Sequence, residues 1–179
     1  MSLNPISKAI LICFFGFLLS LSAPGYDLWF LAWFCLSPLF IIIYTSKKTK
    51  EAILYSLLFG FSYNAWYLHW LFSLHPLNWL GFSNVTSFLF SVFALITVAF
   101  YNSLFFALYT FLVLNLKRIS SSPFDKDILS IILSTLIWLV VFNKLSSCKL
   151  LFGFPWTLVE YSQYKNLFLI QIAIGILFA

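Results

Sequence analysis

Two histidines, three cysteines and five acids are the side chains of this 179-residue sequence that could move protons, attack a carbon or hold a metal. Their spacing builds little. No Ser/His/Asp arrangement, P-loop, His-Glu-x-x-His helix or Gly-rich dinucleotide fingerprint occurs. Cys13, Cys35 and Cys148 are odd in number and form no Cys-x-x-Cys pair, so neither a disulfide framework nor a zinc site is signalled. Cys13 and Cys35 lie inside apolar runs and read as small hydrophobes. His69, in Trp66-Tyr67-Leu68-His69-Trp70, has no acid close in sequence. It reads as an interfacial residue bonded to a carbonyl or to water rather than a proton relay. His75, before Pro76, reads as a wet loop residue. Glu160 stands beside Tyr161, Ser162, Gln163 and Lys165, which reads as a solvated or Lys-paired carboxylate at an interface. No metal and no cofactor are expected.

Gly153-Phe154-Pro155-Trp156 is more informative. Gly153 permits a tight backbone, Pro155 fixes φ, and two rings flank the bend. Such a rigid aromatic loop suits the depth of lipid headgroups. It either holds a headgroup or acyl chain or serves as an anchoring turn, and the residues alone leave both open.

The elements that would position these residues are set by composition. Hydrophobic residues make up 63% of the chain and charged ones 8%, with a mean hydropathy of +1.01. A soluble domain has roughly 45–50% apolar and about 25% charged residues. Too few polar side chains are present to cover a water-facing surface, so lipid is the solvent that fits. The aromatic share of 22% agrees, with Phe suited to acyl chains and Trp and Tyr to the interface. The net charge of +5 does not mark a nucleic-acid binder, because the bases are dispersed and flank apolar runs.

The runs are long and lack period-2 alternation, which predicts helices rather than a barrel. The expected fold is all-α: a polytopic transmembrane bundle of about six spans. The first run is Ile6 to Leu21. Leu21-Ser22-Ala23 resembles a signal-cleavage site, but Pro24 follows it and would block cleavage. Ala23 to Asp27 is turn chemistry, and Asp27 is placed to cap the next helix. The second run, Leu28 to Tyr44, contains Pro38 and predicts a kink. Ala52 to Phe72 is the third. Val85 to Leu116 is the fourth, about 48 Å long as one helix. Ile128 to Phe142 is the fifth. The sixth begins near Asn166 and is still apolar at Ala179, as if the chain were truncated within that span. Seven of the ten bases fall on one side of this scheme and Lys144, Lys149 and Lys165 on the other, which predicts a cytoplasmic N-terminus.

Three segments carry a resemblance. The first is Ser22-Ala23-Pro24-Gly25-Tyr26-Asp27-Leu28-Trp29, continuing through Leu31-Ala32-Trp33 to Ser37-Pro38-Leu39. The second is Gly60-Phe61 to Tyr67, Trp70 and Leu71. The third is Gly153 to Trp156, then Tyr161-Ser162-Gln163, then Gln171-Ile172-Ala173 and Gly175. In order and spacing the chain resembles the N-terminal membrane domain of apolipoprotein N-acyltransferase. The resemblance implies a multi-pass protein of the bacterial inner membrane. Its reaction would move an acyl chain from phospholipid to the α-amino group of a lipoprotein. That chemistry runs through a cysteine thioester, on Glu, Lys and Cys of a nitrilase-like domain that follows the membrane part. None of the three cysteines here matches that nucleophile, so no catalytic residue carries over. What carries over is a lipid-facing entrance: Gly153, Phe154, Pro155, Trp156, Tyr161 and Gln163, with Ser162 between the last two.

The implied partners are phospholipid, a lipoprotein substrate and a separately encoded nitrilase-like chain, and no nucleic acid. The chain alone is expected not to catalyse the transfer. Two departures count against full activity. Lys144 stands where the family usually has Glu, and Glu160 where it usually has Gly before Tyr. A small transporter or a non-catalytic membrane scaffold are the alternatives. Paired intramembrane ionisable residues or repeated halves, which a transporter would favour, are not evident.

Overall fold

The computed structural model describes residues 4–46, 48–119, 128–146, 148 and 157–169. Among them every regular element is helical. Helix α1 is Pro5–Ser20, with Asn4 as its cap: Asn4 Oδ1 accepts from the Ile6 N–H at 3.3 Å, and Pro5 occupies a first-turn position. The second apolar run differs from its single kinked helix. It forms α2, Leu31–Cys35, and α3, Ser37–Thr45, with Pro38 in the first turn of α3. Proline lacks an N–H and fits a helix start better than an interior, so the kink becomes a break. Asp27 does not cap α2. Its φ of 60° is left-handed, and α2 begins after Phe30 with no side-chain cap.

Helix α4 is Thr49–Tyr67, shorter at its far end than the expected run, because the chain tightens into a 3₁₀ stretch at His69–Leu74. Helix α5, Asn84–Ile119, is one continuous helix. Ser83 Oγ accepts from the Thr86 N–H at 3.2 Å at its start, and Lys117 and Arg118 lie in its last turn, where cations suit the helix dipole. Helix α6, Ile128–Trp138, widens into a π-helical stretch, Leu139–Leu145. Of these helices, Asn84–Arg118 is long and apolar enough to cross a membrane; Pro5–Ser20, Leu31–Thr45 and Leu129–Leu145 are apolar but shorter. Most of the sixth run lies outside the described residues.

Small residues let α1, α4 and α5 approach closely. A Cβ on Gly16 would stand 2.5 Å from the Phe59 carbonyl oxygen, and one on Gly60 would stand 2.6 Å from Phe106 Cδ2. Ser62 Oγ donates to Cys13 O at 2.7 Å, and the hydroxyls of Ser56 and Thr110 lie 2.6 Å apart. Lys8 beside Glu51 at one end and Phe17 against Trp66 at the other make α1 and α4 parallel, and Ser56 with Thr110 and Gly60 with Phe106 make α4 and α5 antiparallel. Rings from α4, α5 and α6 fill the next layer: Phe106 meets Phe142 edge-on at 4.7 Å, and Trp138 stacks on Phe142 at 4.1 Å.

Helix α5 is apolar on both sides. It buries Ser87, Ser91, Asn102, Ser103 and Thr110 together with Phe105, Phe106, Tyr109 and Val113, and it exposes Phe88, Phe90, Phe93, Phe100 and Phe111. Small and hydroxyl residues among the buried ones, with a row of Phe outside, suit a helix that associates in lipid.

The two ends of the bundle differ. At one end Lys8 pairs with Glu51 at 3.4 Å, Lys117 Nζ donates to Tyr44 O at 2.8 Å, and Arg118 donates to Thr49 Oγ1 at 2.5 Å. The other end gathers the 21–30 turn, the end of α4 and residues 157–166.

Candidate lipid-facing site

The segment 157–166 is tied to the bundle by polar side chains reaching from several elements. Tyr63, on α4 and almost wholly buried, donates its hydroxyl to Thr157 O at 2.9 Å. Asn102, on α5, donates to Thr157 Oγ1 at 3.4 Å. Gln163 Nε2 donates to Trp29 O at 3.3 Å and to Ser162 Oγ at 3.1 Å, and its Oε1 accepts from Asn166 at 3.2 Å. Tyr164 donates its hydroxyl to Asp27 Oδ1 at 2.6 Å, and Lys165 Nζ lies 2.8 Å from the same oxygen. The Lys165 ammonium, followed by the Tyr164 hydroxyl, holds the Asp27 carboxyl below its usual range. In return Asp27 raises the Lys165 ammonium. The residue expected to cap a helix is thus the anchor of a strap.

Glu160 is neither freely solvated nor paired with Lys165. Its Oε1 accepts from Asn143 Nδ2 at 3.4 Å, and its Oε2 is buried with no hydrogen-bond partner among the described residues. Asn143 lies in the π-helical stretch. Partial burial, and then the Glu160 carboxylate, raise the Tyr161 phenol. Tyr161 itself points outward, 39% exposed.

A cavity of about 220 Å³ opens beside Glu160, walled by Trp33, Leu36, Trp138, Val159 and Gln163. A second, of about 480 Å³, shares Leu36 and Trp138 with it and continues along α3 and α6 past Phe40, Tyr109 and Ser134. The two cavities adjoin at Leu36 and Trp138 and together form a groove along α3 and α6, largely apolar, with the Glu160 carboxylate and the Gln163 amide in the smaller one. Such a shape receives a chain with a polar head. The described lining residues supply apolar walls and polar contacts that would hold and orient such a chain.

Of the residues expected at the site, Gln163 lines the groove and Tyr161 stands beside it, whereas Gly153, Phe154, Pro155 and Trp156 lie outside the described residues. Sequence reasoning missed Trp33, Trp138, Asn143 and the role of Glu160. An asparagine closing the apolar fifth run was the available signal. His69 behaves as expected: its Nδ1 lies 2.7 Å from Trp66 O. His75 is less wet than expected, with its Nδ1 2.8 Å from Ser87 Oγ, which also accepts from the Leu77 N–H at 2.8 Å.

The family described as Apolipoprotein N-acyltransferase N-terminal domain matches residues 15–176. The chain belongs to this family. The apolipoprotein N-acyltransferase of Nostoc sp. (strain PCC 7120 / SAG 25.82 / UTEX 2576) is 28% identical over 149 residues, covering 81% of this chain and 28% of that protein. The chain therefore corresponds to little more than a quarter of its relative, and the apolipoprotein N-acyltransferase match includes every residue of the groove named above.

Proposed function

We propose that these residues form the membrane part of an apolipoprotein N-acyltransferase-like protein: a bundle of about six helices in the bacterial inner membrane, with a cytoplasmic N-terminus. The observation that carries the reading is the outer face of α5, where Phe88, Phe90, Phe93, Phe100 and Phe111 stand exposed on a helix long and apolar enough to cross a membrane, within a chain of this family. Water would disfavour so apolar a face. The gathering of Lys8, Lys117 and Arg118 at one end of the bundle supports the orientation.

In this reading the groove between α3 and α6 takes the acyl chain of a phospholipid, with its polar part near Glu160 and Gln163. Gly153, Phe154, Pro155 and Trp156, assigned to lipid binding by family resemblance, act with Tyr161 in taking up the lipid. A lipoprotein is the acceptor. The bond-making Glu, Lys and Cys come from a nitrilase-like domain, in the same protein or on a separate chain, so residues 1–179 do not catalyse by themselves.

The test is expression in a bacterium depleted of its own N-acyltransferase, with and without a nitrilase-like chain, reading lipoprotein N-termini by mass spectrometry. The expected result is no N-acylation by residues 1–179 alone, restoration with the partner, and loss of that restoration with Trp156→Ala or Gln163→Ala. N-acylation by residues 1–179 alone would overturn the non-catalytic role. Release of the protein from membranes by carbonate would overturn the membrane assignment.

A further inference from the structure

At the basic end, on the other side of α3 from the groove, a cavity of about 710 Å³ opens between α1, α3 and α4. Leu11, Phe15, Pro38 and Ile41 wall it, and Lys8, Lys48 and Glu51 stand among its lining residues. We propose that it is a second lipid site, which takes an anionic phospholipid from the leaflet at the basic end, opposite the Glu160 end of the groove; the proposal rests on the membrane assignment above.

Three observations carry it. The volume lies within the range of sites that bury a ligand, roughly 300–1,000 Å³. Two of its apolar walls reach the surface: Leu11 of α1 and Ile41 of α3 line the cavity and are exposed, so its mouth faces hydrocarbon in the membrane assignment. The charge is unbalanced. Glu51 sits 3.4 Å from the Lys8 ammonium and offsets it, while Lys48 is exposed beside them. One surplus positive charge over an apolar cleft matches a headgroup of net negative charge better than a zwitterionic one. Basic pockets between transmembrane helices bind anionic headgroups by this chemistry. Glu51 then sets the strength of the preference, because it competes with the phosphate for Lys8.

The experiment is native mass spectrometry of the detergent-purified protein with phosphatidylglycerol or phosphatidylcholine added in equal amounts. Phosphatidylglycerol adducts should persist at higher collision energy. Lys48→Gln should reduce the preference by about fivefold, the effect of one lysine at a membrane surface. Glu51→Gln should raise it, and Lys8→Gln with Lys48→Gln should remove it. Lys50→Gln is the control, an exposed cation at the same end that does not line the cavity. Equal retention of the two lipids, or an equal response to Lys50→Gln and Lys48→Gln, would overturn the proposal. A protein that stays in membranes after carbonate washing but shows no preference refutes this site alone; one released by carbonate refutes the membrane assignment as well.

Discussion

The contact between α1, α4 and α5 and the strap at residues 157–166 are built from opposite materials. The first uses glycine, serine and threonine at near-contact distance, with Gly16 against the Phe59 carbonyl and Gly60 against Phe106. The second uses long polar side chains, each making one or two bonds across a gap: Tyr63 to Thr157, Asn143 to Glu160, Gln163 to Trp29, and Tyr164 and Lys165 to Asp27. In the first region geometry is set by what cannot fit. In the second it is set by bonds that can be exchanged singly. A frame of the first kind fixes α1, α4 and α5 against one another. A strap of the second kind loses its attachment one bond at a time.

The sharpest way to break this contrast is to add a side chain to the frame. Gly16→Val places a Cβ 2.5 Å from a backbone oxygen that cannot swing aside, so α1 and α4 must part. Destabilisation of about 3 kcal/mol is expected, read as a lowered Tm in detergent. Gly60→Val should cost somewhat less, since its nearest obstacle, Phe106 Cδ2 at 2.6 Å, belongs to a side chain, although Ser103 Cα follows at 3.1 Å. Unchanged Tm values for both variants would mean that these helices are not packed as described.

A smaller effect should follow from Tyr63→Phe, which keeps the ring packed against Phe106 and removes the donor to Thr157 O. The loss should be about 1 kcal/mol and local: amide exchange at 157–166 should accelerate while α4 and α5 stay protected. A global loss as large as that of Gly16→Val would show that strap and frame are one cooperative unit, and the contrast would fall.

What the sequence discloses divides along the same line. Helix α5 was legible, because apolar content and the lack of a breaker over Val85 to Leu116 are local properties. The break before Pro38 was half legible: proline's position was plain, but whether it kinks a helix or starts one depends on the turn before it. The strap was not legible. Asp27 lies 138 residues from Lys165 by number, and nothing in either neighbourhood signals the other. Asp27 looked like a helix cap because local chemistry favours that role for Asp before an apolar run. Glu160 looked wet because its sequence neighbours are polar, whereas its burial comes from α2, α6 and the π-helical stretch beneath it. Family resemblance supplied Tyr161 and Gln163 as site residues but not the aromatic walls Trp33 and Trp138, which come together only around the cavity between α2 and α6.

The smallest expected effect is that of pH on the strap. Asp27 is held below its ordinary value of 3.8, chiefly by Lys165 and then by Tyr164. A carboxyl depressed on folding contributes above its unfolded value, and that contribution is lost as pH falls through the folded one. Lys165, raised above 10.5 by Asp27, contributes fully below that value and is lost as pH rises through the raised one. Tethering of 159–166 should therefore be level across neutral pH and weaken in strong acid and strong alkali. Asp27→Asn should abolish the acid limb, while leaving the Tm of the frame nearly unchanged, because the pair is exposed and screened by solvent. Hydrogen exchange of the Tyr164 and Lys165 amides, scaled for the intrinsic pH dependence of exchange, reads this directly. An acid limb that survives in Asp27→Asn would show that the Asp27–Lys165 pair does not set it, and the role of Asp27 as the anchor of the strap would fall.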